Sequence, residues 1–177
     1  MKMDATKFQF YLLLSLTTLY IFITASASQA PQLRTHWVPS SAQLQIPPNA
    51  VEGGYEHNNV KVYIARAFHE GDLLPGKFIP NRRVAYVSYK GKEHIKTEYI
   101  EVLNSTSVSW VPSSNGNVPY NAVMGGYTTE GEPLYVGRAV HDGLLIPGKI
   151  HPSRETLYIP YDGKELKFRE YEVLIEN

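Results

Sequence analysis

The chain has 177 residues, no cysteine, and a formal net charge of zero from 17 basic and 17 acidic residues. The missing thiols exclude thiol catalysis, disulfide frameworks and thiolate metal sites, and the balanced charge leaves no basic field for nucleic acid or an acidic membrane surface. Tyrosine is in excess, with thirteen in the chain.

The N-terminus reads as a leader. Lys2 and Lys7 give a positive start, Phe8 to Ile23 is mostly apolar, and Ala25-Ser26-Ala27 is a small-residue cleavage signal. Gln9, Ser15, Thr17 and Thr18 interrupt the apolar stretch, which suits a removed peptide better than a stable span, although an uncleaved anchor remains open. The expectation is a signal peptide at 1–27, a short extension at 28–35, and a secreted, soluble mature chain without membrane insertion.

The rest says nearly the same thing twice. Pro47 to Tyr99 lies over Pro119 to Tyr171 without a gap, at an offset of 72 residues, with 25 of 53 columns identical. The first copy carries NAVEGGY, VYIARAFHEGDLLPGKF and YVSYKGKE; the second carries NAVMGGY, LYVGRAVHDGLLIPGKI and YIPYDGKE. Trp37-Val38-Pro39-Ser40-Ser41 precedes one, and Trp110 to Ser114 the other. The first copy is set at 36–104, a linker at 105–108, and the second copy at 109–177. Asn104-Ser105-Thr106 is a glycosylation sequon expected in that connector.

Short strands and tight turns punctuate each copy. Lys61 to Ala67 and Pro133 to Ala139 are β-branched and aromatic runs that follow polar turns. Glu70-Gly71 and Asp142-Gly143 mark the next turns; Lys90-Gly91 and Asp162-Gly163 split two further strands, and Asp-Gly fits a type I′ hairpin. Tyr99 to Leu103 and Tyr171 to Leu174 form terminal strands. No stretch beyond ten residues shows helical spacing free of Gly or Pro. The expected fold is all-β and antiparallel, with five or six strands per copy. That is too few for an independent core, so the copies should share one or exchange strands about a pseudo-dyad.

The ordered string Trp-Val, Gly-x-Val-Pro-x-Asn-Ala-Val, Gly-Gly-Tyr, Tyr-x-x-Arg-Ala, Pro-Gly-Lys and Gly-Lys-Glu…Tyr-Glu-Val-Leu resembles the DM9 repeat (DUF3421). That module occurs in secreted insect proteins, molluscan mannose-binding lectins and the front of fish natterins. The resemblance covers about residues 36–175. It implies two small β-sandwich-like units and recognition of mannose-type glycans in innate defence; nothing in the chain resembles the natterin pore domain. In the mannose-binding relatives the acidic residue after Gly-Tyr and the lysine of Pro-Gly-Lys hold the sugar. Here those positions are Glu56 and Lys77, then Thr128 and Lys149. A carboxylate accepts from two neighbouring hydroxyls and an ammonium donates to them. Glu56 is longer than the usual aspartate, and Thr128 carries no charge, so the second site is expected to be weaker, altered or silent.

Plainer readings stand beside these. Lys77 and Lys149 could be solvated charges after a turn, and Glu56 an ordinary turn carboxylate. Arg66 and Arg138 read as half-buried guanidiniums paired with Glu93 and Glu165. His69 and His141 read as turn histidines, Trp37 and Trp110 as core anchors, and Gly53-Gly54 and Gly125-Gly126 as sites of positive φ or close backbone approach. Tyr86, Tyr89, Tyr158 and Tyr161 share one strand face, read as packing first and as a binding surface second. No nucleophile elbow, zinc-ligand spacing or calcium loop is visible, so the expectation is a non-enzymatic, metal-independent protein with no cofactor. Two sites in one chain, or a homodimer, would supply avidity. A structural or protein-interaction module whose lysines hold a partner's carboxylates is the alternative.

Overall fold

The structure is a computed structural model and describes residues 35–40 and 46–177. The expected leader and all but the last residue of the extension at 28–35 lie outside those residues. The first copy forms β1 (Thr35–Ser40), β2 (Glu52–Glu56), β3 (Val60–His69), β4 (Asp72–Ile79), β5 (Val84–Tyr89), β6 (Lys92–Lys96) and β7 (Ile100–Ser105). The second forms β8 (Val108–Ser114), β9 (Met124–Tyr127), β10 (Pro133–His141), β11 (Leu144–His151), β12 (Thr156–Tyr161), β13 (Lys164–Phe168) and β14 (Glu170–Glu176). The fold is all-β, as the turn punctuation requires. Each copy has seven strands rather than five or six, because the opening Trp-Val-Pro-Ser is itself a strand. It pairs with the terminal strand of its own copy, Trp37 opposite Leu103 and Trp110 opposite Leu174.

Local chemistry sets the hairpins. Glu70-Gly71, Lys90-Gly91, Asp142-Gly143 and Asp162-Gly163 all have positive φ at both positions, the geometry of a type I′ turn. Each joins two antiparallel strands: β3 to β4, β5 to β6, β10 to β11 and β12 to β13.

All fourteen strands belong to one hydrogen-bonded sheet network, and it crosses between copies at three places. Tyr55 in β2 pairs with Leu145 in β11, and Tyr127 in β9 pairs with Leu73 in β4, the same contact at the repeat offset. Lys92 in β6 faces Lys164 in β13, its own repeat mate, so the pseudo-dyad passes between these strands. The Gly-Gly pairs make the first two crossings. A Cβ on Gly54 would stand 2.0 Å from the Leu145 carbonyl oxygen, and one on Gly126 1.9 Å from that of Leu73. Close backbone approach is their role.

The core is shared to match. Val51, Ile64 and Leu103 of the first copy pack with Val123, Val136 and Leu174 of the second, and half-buried Trp37 and Trp110 lie against this cluster. A second mixed cluster joins Ala67, Leu74 and Val87 to Leu134. Each copy also has a cluster of its own, around Phe78 and Ile100 in the first and around Ile146, Ile150 and Leu157 in the second.

Candidate carbohydrate site

β4 carries Lys77 directly opposite Tyr86 in β5, and β11 carries Lys149 opposite Tyr158 in β12. Neither lysine is solvated: Lys77 is 2% exposed and Lys149 5%. A buried ammonium is tolerated only with charge partners, and each has them.

Around Lys77, the Nζ lies 2.7 Å from Glu56 Oε1 and 3.5 Å from Glu93 Oε1. The other oxygen of Glu56 faces Arg82 Nη1 at 3.5 Å, so this carboxylate bridges two cations. Tyr86 and Glu56 both favour the charged form of Arg82. The tyrosine rings of both copies enclose the ammonium, which is 5.2 Å from the Tyr86 centroid and 5.9 Å from that of Tyr161. The cavity over this group is about 390 Å³ and is completed by His57, Asp162 and Gly163.

Lys149 repeats the arrangement with Thr128 in place of Glu56 and a backbone carbonyl among its acceptors. Its Nζ lies 3.0 Å from Glu165 Oε1 and donates to the Ser88 carbonyl of the other copy. Tyr158 and Tyr89 stand 5.4 and 5.8 Å away. Burial pushes the ammonium below its usual value, against the pull of Glu165 and, more weakly, Asp72. The cavity, about 400 Å³, also takes in Thr128, Glu132, His151 and Arg154.

Glu93 and Glu165 tie the two centres together. Glu93 Oε2 accepts from the Gly163 amide at 2.9 Å, and Glu165 Oε2 from the Gly91 amide at 2.8 Å. Each carboxylate thus holds the lysine of its own copy and the hairpin turn of the other. Both sites are built from both copies, which linear reading of the repeats could not show. Repeated identity of Glu93, Glu165 and the four tyrosines was the available signal.

All four residues expected at the sugar site line these cavities, Glu56 and Lys77 in one, Thr128 and Lys149 in the other. Reading the lysines as solvated turn charges is incorrect. The pairing expected for the arginines also differs. β3 lies beside β7, so Arg66 Nε donates to Glu101 at 2.6 Å, and Arg138 Nε to Glu172 at 2.7 Å in β14. The same guanidiniums stack on the opening tryptophans at 4.3 and 4.0 Å, a brace for the shared core. β6 pairs with β5 instead, which frees Glu93 for the lysine.

Thr128 closes a local turn: its Oγ1 accepts from the Glu132 amide at 3.2 Å, and its carbonyl from Gly131. Asn104 falls within β7 rather than an exposed connector. Its Nδ2 lies 3.2 Å from His36 Nε2, and its Oδ1 accepts from the Asn49 amide. His69 packs 4.0 Å from His94 and 5.0 Å from Tyr89, away from any ligand set. Among the described residues no group of three or more His, Asp or Glu could hold a metal ion. A further cavity of about 710 Å³ is a mainly apolar groove beside Phe68, Ile95 and Tyr99, with Lys96 and Glu98 on its lining.

The DM9 repeat family model matches residues 19–71 and 56–168. The chain belongs to the DM9 repeat family. Natterin-4 of the fish Thalassophryne nattereri is 31% identical over 75% of this chain and 32% of its own length. Natterin-3 of that fish is 38% identical over 42% of the chain and 18% of its length, and natterin-2 is 25% identical over 88% and 39%. The DM9 chain therefore spans well under half of these curated relatives. In fold it is similar to the crystal structure of the nematode sperm cell motility protein MFP2B, with a TM-score of 0.58 at 13% identity, over 86% of this chain and 50% of that one.

Proposed function

We propose that the protein binds carbohydrate reversibly and without a metal, at two sites centred on Lys77 and Lys149. The observation that supports this most is the composition of each cavity: a buried ammonium between two tyrosine rings, with carboxylates at its side. A pyranose offers C–H faces to the rings and neighbouring hydroxyls to the charges. A carboxylate accepts two hydroxyl protons while an ammonium donates to their oxygens. Cavities of about 390 and 400 Å³ are of the size used for small ligands.

The sugar class, mannose-type glycans on microbial or host surfaces, follows from family resemblance. So does a defence role, and the leader-like N-terminus supports secretion. The protein is non-catalytic in this reading. Two sites on one sheet network multiply the weak affinity of each for a repeating glycan.

Calorimetric titration with mannose and mannan, with and without EDTA, tests the proposal. Wild type should saturate two sites and ignore EDTA. Lys77→Gln/Lys149→Gln should lose binding, and so should Tyr89→Leu/Tyr161→Leu, which removes a ring from each site without altering charge. A well-folded wild type that binds no sugar would leave a protein-interaction module as the account.

A further inference from the structure

At the Lys77 centre the protein supplies the anion that lies between its two cations: Glu56 reaches Lys77 at 2.7 Å and Arg82 at 3.5 Å. At the Lys149 centre both cations remain, as Lys149 and Arg154, but Thr128 replaces the carboxylate. Its hydroxyl oxygen is engaged with the Glu132 amide. Arg154 lines the same cavity, is exposed, and makes no ion pair among the described residues. Its charge presses on Lys149, adding to the burial that already disfavours that ammonium.

No neighbouring acid takes the place of Glu56; beside Lys149 the neutral Ser88 carbonyl accepts from the ammonium. Glu165 is committed to Lys149 and the Gly91 amide. Glu132 is held by the Ser153 amide at 3.0 Å, the Ser153 hydroxyl at 2.8 Å and His151 at 3.1 Å. Asp72 accepts from the Thr129 amide at 2.8 Å and forms no ion pair with either cation. Lys90 at the rim is matched by Glu70, and Glu130 lies exposed at the mouth.

We propose that the second site takes a sugar bearing its own carboxylate, a hexuronate, whose anion sits between Lys149 and Arg154 where the first site has Glu56. The inference rests on the carbohydrate reading above. The rings of Tyr158 and Tyr89 favour a pyranose over a bare carboxylate, because they offer apolar surface to its C–H face. At the first site Glu56 occupies that place and repels an acidic sugar. The duplication has thus produced two sites that differ in ligand charge.

The test is amide-resolved NMR titration of the whole protein with D-mannuronate, its neutral methyl ester, mannose and acetate. The Gly91 and Arg154 amides report the second site, and Gly163 and Arg82 the first. Mannuronate should bind the second site about tenfold tighter than its ester, the scale of a charge-assisted contact. Thr128→Glu should erase that preference, and Arg154→Gln, an exposed change that leaves the fold intact, should reduce it. Glu56→Thr should create the preference at the first site. Equal binding of acid and ester at the second site overturns the inference, as does a preference indifferent to Thr128→Glu and Arg154→Gln. Acetate binding as tightly as mannuronate overturns the sugar component. Mannose at the Gly163 and Arg82 reporters tests the broader reading separately, so the two fail by different signals.

Discussion

The two lysine centres share one skeleton and differ in the residue that follows Gly-Tyr, Glu56 in one and Thr128 in the other. Lysine, two tyrosines and the dyad-crossing carboxylate are the same in both, whereas the segment after Gly-Tyr has drifted from Glu56-His57-Asn58-Asn59 to Thr128-Thr129-Glu130-Gly131. Residues that must satisfy both a site and the contact between copies stay fixed.

The largest effect should come from removing the ammonium itself. Lys77→Met leaves Glu56 and Glu93 without their shared cation, and should cost about 3–5 kcal/mol in a urea titration. Lys149→Met strands one carboxylate, Glu165, which keeps the Gly91 amide, and the neutral Ser88 carbonyl, so its cost should be smaller. Equal costs would show that the two centres do not differ in charge.

The crossings between copies should break symmetrically. Gly54→Ala and Gly126→Ala each drive a methyl into a carbonyl of the other copy, and should cost roughly 1–3 kcal/mol apiece with a single cooperative transition. Two separate transitions would mean that the copies fold independently. Arg66→Gln and Arg138→Gln lose an ion pair and a tryptophan stack, worth about 1 kcal/mol each.

The smallest effect separates the copies by pH. Burial, aided by His94 and Lys96, lowers the pKa of His69 below 6.5. The native state then prefers the neutral ring. This contribution is full above about 6.5 and is lost as pH falls toward the lower folded value. Urea midpoints at pH 7.5 and 5.0 should differ less in His69→Gln than in wild type. An unchanged difference would remove His69 from the acid sensitivity.

Much of this was legible in the chain. Glu-Gly, Lys-Gly and Asp-Gly dipeptides foretold the hairpins, and the repeat foretold a shared core. Glu56 and Lys77 came from the resemblance to the DM9 repeat, not from any local pattern. The arginine pairing was not legible, since Glu93 and Glu101 are both in reach of Arg66 along the sequence. Only strand order, with β7 beside β3, decides between them. The expectation that Tyr86, Tyr89, Tyr158 and Tyr161 share one strand face is incorrect. Three residues apart on each strand they alternate sides, so Tyr86 and Tyr161 enclose Lys77 while Tyr158 and Tyr89 enclose Lys149. Contacts across a dyad leave no local periodicity to read.

The central claim is that both copies build each sugar site, and amide shift changes on titrating the whole protein with mannan test it most directly. The account predicts two clusters, one joining Lys77 and Tyr86 to Tyr161 and Gly163, the other joining Lys149 and Tyr158 to Tyr89 and Gly91. Shifts confined to one copy, or gathered in the apolar groove of Ile95 and Tyr99, would contradict it.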